Sequence, residues 1–155
     1  MKINYLNILI NQSSFLNKKF YFISGNEKTL MEKIKMIIVE GFKKKENVQI
    51  KNLDTVSDFV DEIGLFGGKN IYIVNGNKGI DKESLNNLRL SESIFIFLQE
   101  NSQKIKKIKS LFSSDKDSYL IDCYELDKDS KIKILNEFLR FNKFQISQDV
   151  YWFLV

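Results

Sequence analysis

The chain has 155 residues and a net charge of +4 from 24 basic and 20 acidic side chains, with no histidine, no proline and a single cysteine. That length holds one ordinary domain and the beginning of a second. Without histidine, Ser-His-Asp and Cys-His nucleophile activation and the commonest metal ligand are excluded, and one cysteine excludes a disulfide within the chain.

The small basic surplus permits polyanionic partners, but acidic residues are interspersed among the lysines and there is no arginine cluster. Heavy use of Lys, Asn, Ile and Phe has the look of an A/T-rich coding sequence, so lysine numbers carry less functional weight than usual. No apolar run approaches the ~20 residues of a membrane-spanning helix, and Met1-Lys2-Ile3-Asn4-Tyr5 lacks a leader pattern. A cytoplasmic protein without a membrane partner is expected, with Cys123 a reduced structural residue.

Along the chain, apolar runs at Phe20 to Ser24, Val48 to Asn52, Ile71 to Val74, Ile94 to Leu98 and Tyr119 to Cys123 predict strands. Between them, Glu27 to Lys45 has helical period, with Leu30, Ile34, Ile37, Ile38 and Phe42 on one face and Lys28, Glu32, Lys33 and Lys35 on the other. Further helices are predicted at Thr55 to Ile63, Lys82 to Leu88 and Lys104 to Phe112. Strands apolar along their length and separated by helices indicate a three-layer α/β domain with a parallel sheet, over residues 1–124. From 125 to 155 the pattern is helical: Ile132, Leu135 and Leu139 form one stripe, and Ser147 reads as the N-cap of a second helix. The apolar ending Tyr151-Trp152-Phe153-Leu154-Val155 suggests the start of a helical second domain in a longer protein.

Two segments invite a functional reading. Phe20 to Thr29 offers strand, glycine and Lys-Thr, yet only two residues separate Gly25 from Lys28 and no second glycine follows, so a phosphate-wrapping P-loop is not formed. The strand Ile71 to Val74 runs into Asn75-Gly76-Asn77 rather than into a magnesium-binding carboxylate. In Asp61-Glu62-Ile63-Gly64-Leu65-Phe66-Gly67-Gly68-Lys69, two large apolar side chains precede paired glycines and a buried strand. This is either a plug for another protein's pocket or the apolar end of a helix packed in the core.

The order of these features resembles the delta subunit of the bacterial DNA polymerase III clamp loader over essentially the whole chain. The resemblance is carried by Ile3 to Ile10, which it implies is an amino-terminal helix, leading into Lys19 to Glu27, by Leu65-Phe66-Gly67-Gly68-Lys69-Asn70-Ile71-Tyr72-Ile73-Val74, by Ile94 to Leu98 leading to Lys104 to Lys109, and by Phe141 to Val150. It implies an AAA+-like domain, P-loop-like but catalytically degenerate, followed by the small helical domain, with no cofactor, no metal and no catalysis of its own. It implies binding and opening of the sliding clamp for loading onto DNA, in company with the other clamp-loader subunits and as a component of the replicative nucleotidyltransferase holoenzyme. Carried over, Leu65 and Phe66 enter the clamp's apolar pocket, flanked by Ile63 and by Asp61, which stands where some members have glutamine. Lys43-Lys44-Lys45 and Lys104, Lys106, Lys107 and Lys109 are candidate DNA phosphate contacts within an assembled loader. The alternatives are a degenerate P-loop ATPase or GTPase completed by a partner, and a basic nucleic-acid-binding module.

Overall fold

The computed structural model describes residues 1–10, 15–61 and 69–155. Six parallel strands form one sheet: β1 (Lys2–Ile3), β2 (Phe20–Gly25), β3 (Val48–Leu53), β4 (Lys69–Val74), β5 (Ile94–Glu100) and β6 (Ser118–Cys123), in the spatial order β1-β6-β2-β5-β4-β3. The helices are α1 (Tyr5–Ile10), α2 (Lys28–Lys45), α3 (Lys82–Leu90), α4 (Ile105–Ser114), α5 (Lys128–Asn142) and α6 (Gln148–Leu154). Among the described residues no helix is long and apolar enough to cross a membrane.

All six residues of β2 are buried because helices cover both faces of the sheet. On the first face Tyr21, Ile23, Ile96, Tyr119 and Ile121 meet Ile8 of α1 and Leu30, Ile34, Ile37, Ile38 and Phe42 of α2. On the second, Phe20, Phe22, Phe95, Phe97 and Leu120 meet Leu85 and Leu88 of α3 and Ile105, Ile108 and Phe112 of α4. Rings dominate this second layer, with Phe22 and Phe112 stacked at 4.6 Å and Phe97 and Phe112 at 5.0 Å between centroids. The three-layer parallel arrangement read from the apolar runs is therefore what the chain forms. The five expected strands are all present.

Two elements differ from the sequence reading. The first residues are not helical from Ile3: Lys2 and Ile3 pair with Leu120 and Ile121 as an edge strand, and α1 begins only at Tyr5, with the Asn4 side chain accepting from the Leu6 amide at 2.9 Å. Of the helix expected over Thr55 to Ile63, the described residues 55–61 form only a single 3-10 turn, Val56–Asp58. Thr55 and Asp58 close that turn on themselves, the Asp58 carboxylate accepting from the Thr55 amide at 2.8 Å and hydroxyl at 3.0 Å. Phe59 then turns extended, which seats its ring edge-on against Tyr72 (5.0 Å) and Phe95 (5.2 Å). A continued helix would carry that ring away from its pocket.

Beyond β6, α5 and α6 supply the expected helices, with Ser147 capping α6 by accepting from the Val150 amide at 3.4 Å. The Tyr5 hydroxyl reaches Ser130 Oγ at 3.4 Å, joining α1 to the start of α5. Phe138, Phe141, Phe144, Trp152, Phe153 and Leu154 are all exposed.

Candidate functional site

The neighbouring strands β2 and β5 leave the sheet toward opposite faces, β2 into α2 and β5 into α4. The carboxyl ends of such a strand pair flank the crevice in which open α/β sheets bind ligands. Here that crevice is lined by Lys28, Glu32, Asn75, Asn77, Glu100 and Asn101, among others. Its phosphate-facing parts are already used. The Gly25 carbonyl accepts from the Asn101 amide at 2.9 Å, and the Glu27 amide donates to the Cys123 carbonyl at 3.2 Å. A Cβ placed on Gly25 would stand 1.7 Å from that same Cys123 oxygen, so glycine is present for close strand approach rather than for a loop around an anion. Lys28, the one cation at the start of α2, spends its charge on Glu100 at 2.7 Å. The Gln99 amide, buried, donates to the Asn75 and Gly76 carbonyls at 3.3 and 3.1 Å and pins the turn after β4. Two carboxylates at the mouth disfavour a triphosphate, and no carboxylate follows β4 to hold its metal. Among the described residues no group of Cys, Asp and Glu is placed to hold a metal ion.

Ile63, Leu65 and Phe66, with Gly67 and Gly68, lie outside the described residues; Asp61 and Lys69 flank them. Asp61 is exposed and follows Val60, whose carbonyl accepts from the Tyr72 hydroxyl at 3.1 Å. It also lies near Lys19, whose ammonium is held below its ordinary pKa by burial and by Arg89, with Asp61 among the groups acting the other way. Lys69 opens β4 opposite Val48, and its ammonium meets Glu46 at 3.1 Å. Both flanking residues thus stand at the edge of the sheet where the strands begin, opposite the crevice. The Phe59, Tyr72 and Phe95 rings give the approach to Asp61 a rigid footing.

The four lysines of the α4 region do not act alike. Ile105, Ile108 and Phe112, spaced i, i+3 and i+7, turn inward, which leaves Lys104, Lys106 and Lys107 exposed. Lys104 occupies the N-cap position in helical conformation without a side-chain cap, and no acidic residue lies in the first turn. Three ammonium groups therefore surround the positive end of a helix, an arrangement that attracts anions. Lys109 is turned to the sheet instead: its Nζ contacts Asp122 Oδ1 at 2.7 Å and the Tyr124 hydroxyl at 3.2 Å. Asp122 also receives Lys2 at 2.9 Å and the Ser24 hydroxyl at 3.4 Å. Burial works to raise the Asp122 pKa, but Lys109 and Lys2 outweigh it and hold the carboxyl below its ordinary value. Lys109 is correspondingly raised, desolvation notwithstanding, by Asp122 and Tyr124. The sequence reading placed Lys109 with the other three lysines and missed this cluster. Its available signal was one aspartate inside the otherwise apolar run Tyr119 to Cys123.

Cys123 is buried, and burial followed by the Asp122 charge pushes its thiol up to about 12. It remains protonated and is no nucleophile at neutral pH. A scan of the sequence against protein-family models gives no match, and no curated protein is significantly similar to it.

Proposed function

We propose that the chain is a delta-type clamp-loader subunit, an inert AAA+-like scaffold with the start of its helical domain, that binds and opens a sliding clamp through Leu65 and Phe66. The observation that carries the reading is the occupied turn after β2. In a sheet with the connectivity of a ligand-binding α/β domain, the turn after β2 is hydrogen-bonded to its neighbours, Gly25 abuts the Cys123 carbonyl too closely for any side chain, and Lys28 is paired with Glu100. A scaffold that retains the layers and gives up the nucleotide is suited to binding a partner rather than to hydrolysis. The same turn argues against the degenerate ATPase or GTPase reading.

Asp61 and Lys69 flank the Leu65-Phe66 segment in the chain, Asp61 following Val60, whose carbonyl accepts from the Tyr72 hydroxyl, and Lys69 opening β4. Burying a leucine and a phenylalanine contributes about 1.5–3 kcal/mol per side chain, enough for two anchors to dominate a small interface. Other loader subunits and DNA complete the assembly, with Lys104, Lys106 and Lys107 as the phosphate-facing cations and Lys109 reserved for Asp122.

The test is a titration of the chain against purified bacterial sliding clamp. Replacing Leu65 and Phe66 together by alanine is expected to weaken binding at least tenfold, about 1.4 kcal/mol, with the thermal midpoint unchanged. Equal affinity of the double variant and the wild type rejects the reading.

A further inference from the structure

We infer that the outer edge of β3 is a docking site for an acidic, extended segment of another protein, taken up as an added strand beside Val48–Leu53. This stands independently of the clamp reading, since it concerns a different element and other residues.

β3 closes one side of the sheet, and among the described residues no strand pairs with its outer side. The opposite border, β1, is only two residues long. Which backbone groups point outward follows from the register. The Leu53 carbonyl accepts from the Asn75 amide at 3.1 Å, and Leu53 is in register with Val74, so Leu53 turns both its backbone groups to β4. Alternation then directs Gln49 and Lys51 to β4 as well, and directs the amides and carbonyls of Val48, Ile50 and Asn52 outward. Three donor–acceptor pairs in a row form the template on which β-strand addition operates.

The side chains state what kind of strand fits. Ile50 is 39% exposed at this border, an aliphatic surface for one apolar residue of the added strand. Immediately before β3, Lys43, Lys44 and Lys45 are exposed and have no carboxylate partner among the described residues. The nearby Glu46 is engaged by Lys69. These three lysines, with Glu46, Asn47 and Val48, line a depression beside the strand's first residue. They complement the negative end of the α2 dipole, yet one exposed cation would serve that purpose. Charge complementarity therefore calls for carboxylates flanking the added strand at its Val48 end. A nucleic acid fits less well: residues 43–53 offer no aromatic ring on which a base could stack, and phosphates make no use of a peptide-spaced row of amides and carbonyls.

The experiment titrates the chain with a labelled peptide of three glutamates followed by alternating valine and threonine. A peptide with lysines in place of the glutamates and a single-stranded oligonucleotide serve as comparisons. Ile50→Pro removes one outward amide while leaving the ladder to β4 intact, because proline is tolerated where the lost donor faces away from the sheet. We expect tight binding of the acidic peptide, a loss of tenfold or more in Ile50→Pro, and a similar loss when Lys43, Lys44 and Lys45 are all changed to glutamate. In the unaltered chain, amide exchange at Ile50 and Asn52 should slow on adding the acidic peptide, which decides the matter even if the proline variant folds poorly. Equal binding of acidic and basic peptides, unchanged exchange at these two amides, or preference for the oligonucleotide overturns the inference.

Discussion

Asp122 stands between the ammonium groups of Lys2 and Lys109, at 2.9 and 2.7 Å, and so ties the first strand, α4 and β6 together. A carboxyl whose pKa falls on folding contributes stability above its unfolded value of about 3.9 and loses that contribution as pH drops through the lower folded value. Lys109, raised on folding, contributes below its unfolded value of about 10.4 and loses it as pH rises through the folded one. The stability difference between wild type and Asp122→Asn should be constant through neutral pH and shrink below about pH 4. Denaturant unfolding across that range measures it, and a difference unaltered in acid would show that the pair contributes no ionic stability. Little of this was legible beforehand, because an ion pair joining residues 2, 109 and 122 depends on strand order, which no local pattern encodes. Cys123 was legible: an isolated thiol in an apolar strand becomes buried and unreactive for reasons of composition alone.

At the level of elements, α4 shows how one periodicity sorts identical residues into different tasks. With Ile105, Ile108 and Phe112 fixed inward, the helical repeat sends Lys106 and Lys107 to solvent and leaves Lys109 beside the sheet. If the clamp-loader proposal holds, changing Lys104, Lys106 and Lys107 to alanine in the loader complex should lower DNA affinity uniformly across sequences and reduce the salt slope by about 2–3. Lys109→Ala should instead lower folding stability and leave that slope as it was; the opposite pattern would reassign the helix. The strands and most helices could be read because apolar runs and helical stripes are local signals. The stretch from Thr55 to Asp61 misled because its apolar spacing suits a helix, whereas the Thr55–Asp58 closure confines it to one 3-10 turn and the Phe59 ring among Tyr72 and Phe95 keeps the chain extended from there. A two-residue strand such as β1 carries too little pattern to be seen; its partner, Leu120, is distant in the chain. Of the candidate clamp-binding residues, only Asp61 falls within the described structure, so for Ile63, Leu65 and Phe66 the sequence remains the source of the reading.

For the molecule as a whole, the hydrogen-bonded turn after β2 makes a direct claim about ligands. Magnesium with ATP or GTP should leave the thermal midpoint where it is, since a ligand raises stability only by binding the folded state. A clear upward shift at millimolar nucleotide would mean that the Gly25 turn opens and would restore the partner-completed ATPase reading. The three-layer parallel scaffold was readable from sequence because its strands are apolar throughout, as sheets covered on both sides require. The spatial order was not, since several orders satisfy the same apolar runs.

That order has a kinetic consequence. β2 lies at the centre of the sheet, yet both of its neighbours are made late: Phe20 aligns with Phe95 on one side and with Ser118 on the other. During synthesis the aromatic run Phe20-Tyr21-Phe22 must wait, unpaired, until most of the chain has left the ribosome, a long interval for a sticky segment. Nascent molecules of this protein should therefore lean on chaperones that shield early apolar segments, and stalling translation before β5 should yield aggregates rather than a partly folded domain.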